Sequence, residues 1–139
     1  MSVATRRTRV GDPLPSVSMQ MSVEKFIAHE PKLLPAETIH SYLEAAAREG
    51  FRRPVAGGPM VMATVYRMMT SFLGEGWFRG GRTALKLTKP VYDIDFVTAK
   101  GVVTETVPEG QGLRIVCDVW VENQRRDKVI VGTASGLVP

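Results

Sequence analysis

Met60-Val61-Met62-Ala63-Thr64-Val65-Tyr66-Arg67-Met68-Met69-Thr70-Ser71-Phe72-Leu73 is the most apolar segment of the chain, and it dictates the architecture around it. Wound into a helix, it carries Met60, Val61, Met62, Ala63, Val65, Met68, Met69, Phe72 and Leu73 around almost the whole circumference. Its one polar stripe is Thr64, Arg67 and Ser71, spaced i, i+3, i+7. A helix that is apolar on nearly all sides must be buried on most of them. It is shorter than the roughly 20 residues a bilayer span requires, so it reads as a core helix.

Outward from this helix the periodicity changes. Arg53-Pro54-Val55-Ala56-Gly57-Gly58-Pro59 reads as a turn leading in, and Gly74-Glu75-Gly76 ends the helix. Beyond it, 83–88, 94–106, 113–123 and 128–138 read as strands. The third alternates Leu113, Ile115, Cys117, Val119 and Val121 against Arg114, Asp118 and Glu122. The connections 107–112 and 123–127 are short enough for antiparallel neighbours. Upstream, Pro13 and Pro15 mark a turn, and 16–22 suits a short strand. Val23, Phe26 and Ile27 start a helix that Pro31 ends. A second helix is expected from Pro35 to Gly50, with Ile39, Tyr42, Leu43 and Ala46 as its apolar stripe. An apolar helix and several long antiparallel strands need each other, and a curved sheet wrapped around the helix satisfies both. The expected class is therefore α+β. Such a sheet has free edges, and pairing one with a second copy predicts a homodimer with a continuous sheet.

The 139 residues suit a single domain over 1–139, with residues 1–9 expected as a flexible tail. Hydrophobic residues at 44% and charged residues at 23% argue against extended disorder. One cysteine allows no internal disulfide and fits a reducing compartment. No apolar run has the length of a membrane span, and the arginines of the first ten residues have no apolar stretch behind them. A cytoplasmic protein is expected. The net charge of +4 owes three units to Arg6, Arg7 and Arg9, and the remaining body is nearly neutral. With 7% aromatics and scattered lysines, it lacks the basic, stacking face of a nucleic-acid binder.

Residues able to carry chemistry are few. His29, His40 and Cys117 have no zinc-ligand spacing. Glu37, His40 and Glu44 share one helical face but lack the matching ligands of a carboxylate-bridged metal site, so no metal is expected. Cys117, on the apolar side of its strand, reads as a small buried hydrophobe. His40 exchanges protons near neutrality, and Glu37, one turn earlier, is placed to orient it. Glu37 equally suits the first turn of a helix, where its charge offsets the dipole. Tyr66 and Trp77 are expected in the core or an interface.

Ile39-His40 with Ala46, then Gly50-Phe51-Arg52-Arg53-Pro54-Val55-Ala56-Gly57-Gly58 and a buried helix, resembles the MaoC-like hydratases of the hot-dog superfamily. Val10-Gly11-Asp12-Pro13-Leu14-Pro15 is similar to the family's opening. Lys89-Pro90-Val91 with Asp95 and Gly101 is similar to its strand region. Glu122-Asn123-Gln124 and Val131-Gly132-Thr133-Ala134 are similar to its closing hairpin. The resemblance spans nearly the whole chain. It implies an acyl thioester of coenzyme A or acyl carrier protein as substrate, reversible hydration of a 2-enoyl double bond, and no cofactor.

The family signature, Asp-x-Asn-Pro-[apolar]-His, places His40 at the histidine and implies that Gly58 N–H holds the thioester carbonyl. A donor at the start of a buried helix suits that task. Pro35 stands at the aspartate position, Glu37 at the asparagine and Thr38 at the proline. Either Glu37 supplies the carboxylate or hydration is lost. Gly57, Arg52, Arg53 and Arg67 are expected at the substrate, the first two arginines against coenzyme A phosphates. Arg67 is expected to find a carboxylate, solvent or a ligand in the dimer cleft, pairing being favoured. Three functions follow: a hydratase or dehydratase using His40, Glu37 and Gly58; a non-catalytic thioester-binding or heteromeric partner subunit; and a thioesterase in which Glu37 activates water.

Overall fold

The strand segments of alternating polarity form one antiparallel sheet in the computed structural model, which describes residues 4–29, 40 and 43–139. In chain order the elements are β1 (Val17–Gln20), α1 (Val23–His29), α2 (Leu43–Arg48), α3 (Gly58–Leu73), α4 (Glu75–Gly80), β2 (Arg82–Leu87), β3 (Phe96–Glu109), β4 (Gly112–Glu122) and β5 (Lys128–Val138). The strand order is β1-β3-β4-β5-β2, so β1 and β2 are the edges. A register shift between Val103 and Glu105 bends β3, the kind of irregularity that curves a sheet.

The curved face wraps α3, which touches β1, β3, β4 and β5. Val97, Ala99 and Val103, with Ile115, Cys117, Val119 and Val121, and Ile130 and Ala134, are buried on the strands. From the helix come Met60, Val61, Val65, Met68, Met69, Phe72 and Leu73. Each large side chain so buried contributes on the order of 2 kcal/mol of hydrophobic stabilisation. Gly74 stops the helix at φ 59°, its N–H returning to Thr70 O at 2.8 Å.

The polar stripe expected on α3 is displaced. Thr64 is fully buried, its hydroxyl donating to Val61 O at 2.7 Å, whereas Tyr66, Arg67 and Ser71 are exposed. A hydroxyl satisfied within its own helix is compatible with a core position. The apolar stripe expected on the second helix also shifts, because Leu43 is exposed and Ala45 and Ala46 are buried. Ile39 and Tyr42 lie outside the described residues.

Three further differences concern connections. Residues 107–109, expected in a loop, continue β3 to a two-residue hairpin at Gly110 (φ 60°) and Gln111. The segment after Gly74 forms α4 instead of leading straight into a strand. Residues 4–9 are tied to the body, unlike a free tail: Ala4 N–H donates to Phe72 O at 2.7 Å, and Arg6 donates to Pro139 O and Gln111 O. Among the described residues no helix is long and apolar enough to cross a membrane.

Candidate functional site

The segment that enters α3 is held by a second segment nearly forty residues away. Val55 and Tyr92 form an antiparallel bridge, Ala56 N–H donates to Val91 O at 2.8 Å, and Asp93 N–H donates to Pro54 O at 3.2 Å. Two arginines reinforce the join. Arg53 donates Nε–H to Asp93 Oδ1 at 2.8 Å and Nη2–H to Oδ2 at 3.1 Å, and the Arg52 guanidinium lies 4.8 Å from the centre of the Tyr92 ring. The hydrogen bonds and charge of Asp93 raise the Arg53 pKa above its ordinary value. This bidentate geometry is the arrangement in which Arg is not replaceable by Lys.

His40 docks onto the same segment. Its Nδ1 stands 2.6 Å from Val55 O, and its ring is half-buried. A carbonyl oxygen can only accept, so Nδ1 carries the proton, and in the neutral ring Nε2 holds the lone pair. A Cβ placed on Gly57 would stand 4.0 Å from His40 Cε1, so the imidazole edge lies beside the residue that caps α3. Gly58 is the first residue of that helix. Its N–H belongs to the first turn, where amides have no acceptor within the helix and the dipole favours negative charge. An imidazole and a helix-start amide thus lie close together, and together they suit chemistry in which charge develops on a carbonyl oxygen.

The other expected site residues are distributed differently. Glu37 and Pro35 lie outside the described residues. Arg52 and Arg53 are near the site, the first lying over Tyr92 and the second paired with Asp93 through its Nε–H and one Nη2–H, and both keep further N–H donors. Arg67 is exposed, with no ion-pair partner among the described residues, so the expected pairing is replaced by solvent contact. At nine residues from Gly58 it lies roughly 13 Å further along α3. Among the described residues no cluster of three or more His, Cys, Asp or Glu could hold a metal.

Three contributors escaped the sequence reading. Val55 acts through its carbonyl, which no side-chain pattern reveals. Asp93 acts across 40 residues of chain. Leu87, at the end of β2, reaches 3.3 Å from where a Gly58 Cβ would stand, and so walls the start of the helix.

No family model matches the chain, and no curated protein matches it. Solved structures do. A MaoC-like dehydratase from Rhodospirillum rubrum superposes with a TM-score of 0.79 at 22% identity, covering 94% of this chain and 92% of the other. The R-hydratase PhaJ1 from Pseudomonas aeruginosa gives 0.74 at 22%, covering 95% and 83%. A chain of the ChsH1-ChsH2 complex from Mycobacterium tuberculosis gives 0.74 at 22%, covering 94% and 98%. Five antiparallel strands around α3, in the arrangement these proteins share over nearly their whole length, give this chain the hot-dog fold of the MaoC-like dehydratases and (R)-hydratases.

Proposed function

We propose that this chain is a hydratase or dehydratase of acyl thioesters, acting on a 2-enoyl or 3-hydroxyacyl group carried by coenzyme A or acyl carrier protein. The observation that carries the reading is the docking of His40 Nδ1 on Val55 O, with the ring beside Gly57 at the start of α3. In the hydration direction, water oxygen bonds to C3, the C2=C3 double bond opens, and one proton from water passes through His40 Nε2 to C2. As this happens charge builds on the thioester oxygen, and Gly58 N–H hydrogen-bonds it, aided by the helix dipole. Glu37 is assigned the carboxylate role as an acid three residues before His40 in the chain, since Pro35 cannot ionise; His40 lies in a turn ahead of α2, so the assignment rests on proximity in sequence and not on a shared helix face.

The working form proposed is a homodimer with its sheet continued through β2, an edge strand whose outer backbone groups await a partner. Heteromeric assembly is a variant of the same idea, and one structural neighbour is itself a complex of two named components.

The test is an assay with crotonyl-CoA for hydration and with saturated acyl-CoAs for thiol release. Hydration that falls by at least a hundredfold in both His40→Ala and Glu37→Gln supports the reading, that being the low end of what one acid–base group contributes. Hydration untouched by His40→Ala refutes it. Release of thiol instead identifies a thioesterase.

Pro35 at the aspartate position favours a second reading, a thioester-binding subunit without turnover of its own. Binding of acyl-CoA with no reaction, and activity only on adding a partner subunit, would identify it.

A further inference from the structure

We propose that Arg53 and Asp93 are a positioning pair that sets the tautomer and orientation of His40, so that Arg53 serves the imidazole and not a substrate phosphate. Its part in turnover rests on the hydratase reading above; its effect on the ring does not.

The Val55 carbonyl and the Ala56 N–H belong to one planar trans peptide, and in such a unit they point in opposite directions. The bond from Ala56 N–H to Val91 O, at 2.8 Å, therefore fixes the plane and turns Val55 O away from the Val91 segment, toward His40 Nδ1. Whatever holds 53–56 against 91–93 aims that oxygen. On the far side of Val55 the join is made by Asp93 N–H on Pro54 O, at 3.2 Å, and by the two-point contact of Arg53 with Asp93. Two parallel hydrogen bonds define the relative orientation of the two segments as well as their separation.

The Arg53 side chain is 42% exposed, and ion pairs so open to water contribute little to stability. The geometric role and the energetic role thus separate: loss of the pair should loosen the Val55 peptide while the fold persists. It also explains why an arginine beside the candidate site faces a carboxylate. Asp93 takes the Nε–H and one Nη2–H of Arg53 and balances its charge, which weakens Arg53 as a phosphate ligand.

The experiment is long-range 1H–15N NMR of the imidazole nitrogens in uniformly labelled full-length protein, at a pH where the rings are neutral. There are two histidines, and His29, exposed at the end of α1, is the internal reference. In the wild type, His40 is expected with a protonated Nδ1 and an unprotonated Nε2. Asp93→Asn and Arg53→Leu should each move its tautomer ratio toward that of His29 by about fivefold, the worth of an ordinary hydrogen bond. Arg53→Lys, which keeps the charge but not the fork, should fall between. Should Arg53→Leu fail to fold, Asp93→Asn and Arg53→Lys still decide the matter.

A His40 spectrum unchanged in the folded variants overturns the proposal, as does a wild-type His40 protonated on Nε2. If the protein hydrates crotonyl-CoA, the same variants should lower kcat about tenfold with KM little changed, whereas a phosphate-binding Arg53 would raise KM. A raised KM with an unmoved tautomer therefore also overturns it. An inactive wild type with the predicted tautomer shift leaves the positioning role standing and removes only the hydratase.

Discussion

Leu87 closes against Gly58: a Cβ on this glycine would stand 3.3 Å from Leu87 Cδ2, the free end of a flexible side chain. The contact allows small adjustment, and alanine favours the helix over glycine by about 1 kcal/mol. Gly58→Ala should therefore leave stability within about 1 kcal/mol of wild type. Gly76 is the opposite case, since a Cβ there would lie 1.7 Å from the backbone oxygen of Leu137. The chain itself must move, so Gly76→Ala should cost roughly 3 kcal/mol, the upper range for overpacking. Urea unfolding of the two variants side by side checks both, and equal midpoints would be inconsistent with this packing.

Arg114 is the buried fastening for α4. It donates to both oxygens of Glu109, at 3.0 and 2.8 Å, and its Nη1 donates to Gly80 O and Ser135 Oγ at 2.9 Å each. Arg114→Met removes all of these and should cost roughly 2 kcal/mol. The Arg114 hydrogen bonds hold the Glu109 carboxyl below its ordinary pKa. The native state then binds fewer protons there than the unfolded state, so this contribution is present above the ordinary carboxylate range and is lost as pH falls through and below it. Glu109→Gln should flatten the acid side of a stability–pH curve, and an unaltered acid limb would contradict the assignment.

Cys117 should be inert in the native protein. Burial, assisted by the charge of Asp118, pushes its thiol up to about 12 from an ordinary 9.0. A disulfide reagent such as DTNB at pH 8 should label it only as fast as the protein unfolds. Because the unfolded thiol ionises first as pH rises, stability should fall between about pH 9 and pH 12, and Cys117→Ala should remove that slope. Rapid labelling of folded protein would show the side chain to be accessible.

The exposed edge of β2 predicts the assembly. Sedimentation velocity should give twice the 15.3 kDa chain mass at micromolar concentration. A purely monomeric species would remove the continuous sheet from the proposal.

The elements that were legible in the sequence are those whose signal is local. The apolar circumference of Met60 to Leu73 announces a core helix, and the alternation from Leu113 to Val121 announces the central strand. α4 carries no such signal: six residues with two glycines and no side-chain N-cap are held by the close approach of Gly76 to Leu137 and by Arg114 on Gly80 O. The site divides in the same way. His40 and Gly58 stand out by residue type and motif, but the partners that define their surroundings are a main-chain carbonyl at Val55 and side chains at Leu87, Tyr92 and Asp93. Arg52 and Arg53 look alike in sequence as free cations; only the fold supplies the ring beside one and the carboxylate beside the other.

In the proposed reaction His40 Nε2 and Gly58 N–H act on one acyl thioester. A crystal structure with 3-hydroxybutyryl-CoA bound tests it most directly. The thioester oxygen is expected at about 3 Å from Gly58 N and the 3-hydroxyl oxygen within the same reach of His40 Nε2. An acyl group seated away from the start of α3, or a His40 whose Nε2 turns from the ligand, would contradict it.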